Sequence, residues 1–236
     1  SAFENSGTIR AQGLSGATGV EFQRDGDLTN SGLIEAASDE GTAIGVHLYW
    51  QGDSVIDNSG TIRAATAIYA SYQYDDTIEI NNGASGRIEG DVTLWGSVDA
   101  VTNNGVITGN VSLGEHDDVY TQTTGQLDGW LDLGSGNDIA NTDIGNQIIF
   151  GGDGNDTIHA GAGSDIIGGG RCADLLDGGS GRDTADYSGS SLGIAVDLLA
   201  GTASGGDASG DTLISIENVQ GSAWSDRLGG DGGNNT

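Results

Sequence analysis

The sequence predicts an all-β fold, a parallel β-solenoid whose coils are wide at first and narrow as the chain advances. Three observations predict it. Six consecutive nonads run from Leu133 to Asp186, and a looser repeat of 20 to 28 residues precedes them. Glycine makes up 44 of 236 residues and recurs at fixed places in both repeats, while proline and methionine are absent. Self-similarity at a fixed period marks stacked units, each able to bury its apolar side chain only against its neighbours.

The loose repeat comes first. ENSGTIRA, TNSGLIEA, DNSGTIRA, NNGASGRIEG, TNNGVITG and TTGQLDG place glycines at Gly7, Gly32, Gly60, Gly83, Gly105 and Gly125. The intervals are 25, 28, 23, 22 and 20, approaching the eighteen residues that two nonads make. A second strand recurs in the wide coils as GVEF at Gly19 to Phe22 and GVHL at Gly45 to Leu48, with AIYASY from Ala67 in a similar place. Alternation sets Val20, Phe22, Val46 and Leu48 on one face, with Glu21 and His47 on the other. Asn5, Asn30, Asn58, Asn81 and Asn103 recur where stacked amides can hydrogen-bond from coil to coil. LGEHDDVYT, at Leu113 to Thr121, reads as a degenerate nonad with Asp118 sixth. This stretch, residues 1–132, resembles the right-handed parallel β-helix of bacterial surface proteins and polysaccharide lyases.

The nonads of residues 133–186 read LGSGNDIAN, TDIGNQIIF, GGDGNDTIH, AGAGSDIIG, GGRCADLLD and GGSGRDTAD. The sixth position holds Asp138, Gln147, Asp156, Asp165, Asp174 and Asp183, and the eighth holds Ala140, Ile149, Ile158, Ile167, Leu176 and Ala185. So brief an alternation fits a very short strand with one inward residue after a six-residue turn. The pattern G-G-x-G-x-D-x-U-x resembles the RTX, or hemolysin-type, calcium-binding repeat. That resemblance implies a parallel β-roll with several Ca2+ ions between turns stacked eighteen residues apart. One side would stack the turns of Asp138, Asp156 and Asp174, and the other those of Gln147, Asp165 and Asp183. The implied ligand set is Gly134, Gly136 and Asp138 in the first turn, with Gly151, Gly152, Asp153, Gly154 and Asp156 in the third. It continues with Gly161, Ala162, Gly163 and Asp165, then Gly169, Gly170 and Asp174, and finally Gly178, Gly179, Ser180, Gly181 and Asp183. Calcium takes six to eight hard oxygens, and glycine presents main-chain carbonyls in conformations barred to other residues. Two departures matter: Gln147 is neutral, so its site is expected to be weak or empty, and Cys172 stands where the fourth-position glycine belongs.

Residues 187–236 interrupt and then resume the pattern. Ile194, Val196 and Leu198 alternate as a strand, and ISIENV reads as another after an acidic loop at Asp207 and Asp211. GSAWSDRLG then places Asp226 sixth and Leu228 eighth. The chain begins inside one coil and stops inside a nonad, which leads us to expect more solenoid beyond it or end-to-end self-association.

Charge narrows the function. Thirty-five acidic residues against seven arginines give a net −28, a compact state that repels itself unless a cation neutralises it. The same field excludes nucleic-acid binding, which needs Lys and Arg for the phosphates. No apolar run is long enough for membrane insertion, and one cysteine rules out an internal disulfide framework. His47, His116 and His159 share no metal-ligand spacing and read as surface residues, and neither a G-x-S-x-G elbow nor an H-E-x-x-H helix occurs, so no enzyme is expected. Tyr49, Trp50, Tyr69, Tyr72 and Tyr74 concentrate the aromatics and offer either core filling or a surface for polysaccharide or protein. The resemblance implies export, through type I secretion, to the extracellular space or the bacterial cell surface. A structural or adhesive role in a filament or surface layer, contacting cell-surface components, is the first reading. A secretion and folding module of an extracellular lyase, epimerase or protease is the alternative.

Overall fold

A computed structural model describes residues 2–24, 26–49, 52–71 and 76–233. The chain divides into two compact units, Ser1–Trp130 and Leu131–Thr236. Both are built almost wholly of short parallel strands, and one three-residue 3-10 turn, Gly206–Ala208, is the helical element among the described residues.

In the first unit, Ala2–Asn5, Asp27–Asn30, Ser54–Asn58, Thr77–Asn82, Val98–Asn103 and Val119–Gln122 stack in parallel as one sheet. A second sheet stacks Thr8–Gly13, Leu33–Ser38, Thr61–Ala70 and Arg87–Thr93, followed by the short pairs Val106–Ile107 and Gln126–Leu127. Gly16–Phe22 and Thr42–Leu48 widen the first coils, the latter pairing with the end of Thr61–Ala70. Residues in register lie 25 apart at Ala2 and Asp27, 28 at Leu28 and Ile56, 24 at Ile56 and Ile80, 21 at Ile80 and Val101, and 19 at Val101 and Tyr120. Period-two alternation turns Leu28, Ile56, Ile80, Val101 and Tyr120 inward, facing Ile34, Ile62, Ile88 and Ile107, all fully buried.

Three sequence expectations change here. The amide ladder runs Asn5, Asn30, Asn58, Asn82, Asn103 and Gln122, with links of 2.8, 2.8, 2.9, 2.8 and 3.2 Å. Asn82 replaces the expected Asn81, because Ile78 and Ile80 face inward and alternation carries the next even residue with them. Asn81 bonds outward to Asp57 and Glu79 instead. In the glycine column Gly86, not Gly83, follows Gly60: Arg87 pairs with Thr61, and a turn closed by the Gly86 amide on the Gly83 carbonyl at 2.7 Å takes up the extra residues. Close approach fixes this column, since a Cβ on Gly60 would meet the Gly32 carbonyl at 2.2 Å and one on Gly105 the Gly86 carbonyl at 2.2 Å. Third, His47 is buried rather than on the surface. Its Nε2 lies 3.2 Å from the Ser71 hydroxyl and its ring contacts Tyr49 and Tyr69, so burial holds its pKa below the usual imidazole value. Trp50, Tyr72 and Tyr74 of the aromatic concentration lie outside the described residues.

In the second unit, Ile139–Thr142, Thr157–His159, Leu175–Asp177 and Thr212–Ile214 stack as one sheet. Leu131–Ser135, Ile148–Asp153, Ile166–Arg171, Thr184–Asp186 and Asn218–Gln220 form the facing one. The step is eighteen residues from Ile158 to Leu176 and from Ile149 to Ile167. It then jumps to 37 from Leu176 to Leu213 and to 34 from Ala185 to Val219. The residues between extend the first of these sheets: Thr202–Ser204 pairs antiparallel with both Thr212–Ile214 and Ala195–Asp197, and Arg227–Gly229 lies parallel to Ala195–Asp197. ISIENV, expected as one strand, splits into Thr212–Ile214 and Asn218–Gln220 around Ser215, whose φ of 51° ends the first. Each piece thereby joins a different sheet.

Candidate metal centre

Each nonad of the second unit gives one six-residue turn and one inward apolar residue, and successive turns fall on opposite edges of the roll. Sixth-position side chains therefore stack every second nonad. On one edge the Asp138 amide donates to Asp156 Oδ1 at 2.9 Å, that of Asp156 to Asp174 Oδ1 at 2.9 Å, and that of Asp174 to Asp211 Oδ1 at 3.0 Å. On the other edge the Gln147 amide donates to Asp165 Oδ1 at 2.7 Å, that of Asp165 to Asp183 Oδ1 at 2.8 Å, and that of Asp183 to Glu217 Oε2 at 2.8 Å. One oxygen of each carboxylate is thus consumed in pinning the turn of the preceding coil.

The other oxygen is the feature of interest. Oδ2 of Asp165, Asp174 and Asp183 is buried and has no hydrogen-bond partner among the described residues. These residues are at most 2 % exposed. An ionised carboxylate left so is expensive, and its pKa rises. Burial is the main cause for all three: it lifts Asp165 to about 6, helped by the charge of Asp183, and Asp174 to about 7, helped by Asp211 and Asp156. Asp183 is raised as well, with Glu217 adding to the effect of burial. Asp211, capped by the Tyr187 hydroxyl at 2.8 Å, is raised by burial to about 6.

The glycines shape the space around these oxygens. A Cβ on Gly169 would sit 2.3 Å from Asp174 Oδ2, and one on Gly178 would sit 2.7 Å from Asp183 Oδ2. A side chain at either glycine would fill the room beside its carboxylate. At the fourth position, a Cβ on Gly154 would lie 1.5 Å from the Gly136 carbonyl and one on Gly181 would lie 1.6 Å from the Gly163 carbonyl. Only bare backbone lets these turns stack carbonyl over carbonyl.

The structure thus gathers Gly134, Gly136, Asp138, Gly152, Gly154, Asp156, Gly170 and Asp174 in one stack of turns, and Gly161, Ala162, Gly163, Asp165, Gly179, Ser180, Gly181 and Asp183 in another. Gly151, Gly169 and Gly178 flank the carboxylates of their own turns. The Asp153 carboxylate is not gathered; it faces solvent, 3.5 Å from Arg171. Gln147 turns its amide into its own turn, donating from Nε2 to the Ile144 carbonyl at 3.1 Å. Cys172 keeps the turn by adopting φ 85°, a left-handed conformation costly for a residue with a Cβ.

Sequence reasoning missed two members of these rows. Asp211, read as part of an acidic loop, is buried and follows Asp174; Glu217 follows Asp183. The signal for Asp211 was present, since Asp211, Thr212 and Leu213 repeat the D-x-U order without the glycines. Glu217 had no such signal, because its place is created by the insertion's return.

The oxygens fit a hard divalent cation: unpartnered buried carboxylate atoms, stacked carbonyls, room kept by glycine, and no thiolate or imidazole in the rows. Among the described residues no three His, Cys, Asp or Glu side chains converge, so main-chain carbonyls must supply most of any shell. Residues 141–171 and 150–185 match the family model of the RTX calcium-binding nonapeptide repeat, in four copies. Searches of curated proteins and of solved structures gave no match to the chain.

Proposed function

From the premise that the matched residues are an RTX-type β-roll that binds Ca2+ at several sites, we propose that this chain is a secreted β-solenoid that folds as it takes up calcium outside the cell. Its role is structural or adhesive, at a bacterial surface or in an extracellular layer. The observation that carries this is the pair of carboxylate rows, each with one oxygen pinned and, at Asp165, Asp174 and Asp183, the other buried and unpartnered.

The sites belong to residues 133–186, with residues 187–236 closing the rows through Asp211 and Glu217. Asp138, Asp156, Asp165, Asp174 and Asp183 supply charge, and the glycines of their turns supply carbonyls. Bound calcium provides the positive charge that the rows lack. The chain's own part is to hold the carboxylates in line, exclude water from their inner oxygens, and deny room to any other side chain. Ligands that bind only the folded state stabilise it by mass action, about 2.7 kcal/mol per site at a hundredfold excess over Kd. Extracellular modules bind near ~10⁻⁴ to 10⁻³ M, so the cell interior leaves the roll unfolded and the exterior folds it. A scaffold role is supported by the repetition itself, because successive coils present like residues in rows instead of converging unlike groups on one point.

Far-ultraviolet circular dichroism and calorimetry of the full chain, in calcium and in EGTA, test the reading. A large loss of β signal in EGTA, restored by Ca2+ and not by equimolar Mg2+, is expected. An identical melt with and without chelator would overturn it.

A further inference from the structure

A second carboxylate pair sits in the first unit, outside the matched repeats and outside the six nonads. Val98–Asn103 and Val119–Gln122 are in parallel register with Ala100 on Val119, which places Asp99 directly on Asp118. The Asp99 amide donates to Asp118 Oδ1 at 2.7 Å, the same link that joins the carboxylates of the second unit. Asp99 is completely buried. Its Oδ1 accepts from the Ser97 hydroxyl, whereas its Oδ2 is buried with no hydrogen-bond partner among the described residues. Neither turn carries the G-G-x-G run. Each nonetheless spans five residues from a buried leucine, Leu94 or Leu113, to the aspartate, and each bends through left-handed positions: Gly96 at φ 110° in one, Gly114 at 108° and His116 at 86° in the other. The turns press together, since a Cβ on Gly114 would lie 2.8 Å from the Leu94 carbonyl.

We propose that the stacked turns ending at Asp99 and Asp118 hold a divalent cation of the calcium class. The inference rests on the calcium reading of the matched repeats and extends it into the wide-coil unit. Beside a second carboxylate and crowded carbonyls, Asp99 Oδ2 offers a hard oxygen donor with no hydrogen to satisfy it. A cation answers that deficit. The competing answer is a proton on Asp99, and Asp99→Asn separates the two, because the neutral amide mimics the protonated acid and cannot replace a charged ligand.

The full chain is stripped with chelator and titrated with Ca2+, counting ions per chain by equilibrium dialysis, alongside Asp99→Asn and Asp165→Asn. The expected result is one ion fewer in Asp99→Asn, with a separate loss in Asp165→Asn. An unchanged count in Asp99→Asn while Asp165→Asn loses ions overturns this site and leaves the repeats standing; unchanged counts in both overturn the two readings together. Should Asp99→Asn fail to fold, terbium luminescence decides. Trp95 lies in the same turn, is 58 % exposed and is not a proposed ligand. Trp95→Phe is expected to remove a component of tryptophan-sensitised Tb3+ emission while the calcium count stays the same, and undiminished emission overturns the site.

Discussion

In the first unit the buried polar row is amide upon amide; in the second it is carboxylate upon carboxylate. Each asparagine carries both donors and acceptors. Asn58 Nδ2 gives one hydrogen to Asn82 Oδ1 at 2.9 Å and reaches the Arg87 carbonyl at 3.3 Å, while its own oxygen accepts from Asn30 at 2.8 Å. The row closes on itself. A carboxylate has no donor, so the second row closes at Oδ1 and leaves a deficit at Oδ2 of Asp165, Asp174 and Asp183. The outer surface of the first unit follows the same rule: Arg10, Glu35, Arg63 and Glu89 alternate in register across four strands, and Arg87 also pairs with Glu89. Three of the seven arginines are spent there. Along the asparagine column and along the carboxylate rows, similar winding thus carries two chemistries, one that closes within the chain and one that leaves buried oxygens open to an ion.

Removing calcium is the severest way to break the comparison. Hydrogen exchange read by mass spectrometry in EGTA is expected to show protection lost through residues 133–186 and kept by the strands around Asn30, Asn58 and Asn82. Equal loss in both units would erase the distinction drawn between them.

Acidity sharpens it next. The folded pKa values of Asp165, Asp174 and Asp211, at about 6, 7 and 6, lie above the ordinary 3.8. Below about pH 4 these groups are protonated folded or unfolded, and the metal-free roll keeps its full stability. As pH rises through 6 to 7 that stability drains away, because only the unfolded chain ionises freely. Chelated protein should therefore show more β signal at pH 4.5 than at pH 7.5, and the reverse order would contradict the burial of these carboxylates.

Point substitutions follow in decreasing size. Asn58→Ala strands its amide partners on both sides and should cost about 2–4 kcal/mol in chemical denaturation, whether or not calcium is present. Cys172→Gly relieves a left-handed residue and should raise the calcium-loaded melting stability by about 1 kcal/mol. Arg63→Ala, at the centre of a half-exposed ion ladder, should cost only about 0.5 kcal/mol, less in high salt.

Much of this was readable beforehand. The nonad period put one apolar residue two places after each sixth position, and the resemblance to the RTX repeat implied the eighteen-residue step that sets Ile158 beside Leu176 and Asp165 beside Asp183. The looser coils left several choices of register. Both Asn81 and Asn82 satisfy the spacing, and only the inward alternation of Ile78 and Ile80 selects the second. Both Gly83 and Gly86 satisfy it too, and the pairing of Arg87 with Thr61 selects Gly86.

By itself, then, the sequence determined the winding, the inward apolar column and the excess of negative charge, all of which are properties of period and composition. Tertiary structure alone decided which carboxylates beyond the nonads become neighbours. Asp174 finds Asp211 thirty-seven residues away, and Asp118, already sixth in a degenerate nonad, finds a partner in Asp99 that no repeat announced. The reason is physical: local pattern fixes which way a side chain points, whereas a shared deficit between two oxygens exists only once separate turns have been stacked at the spacing of paired strands.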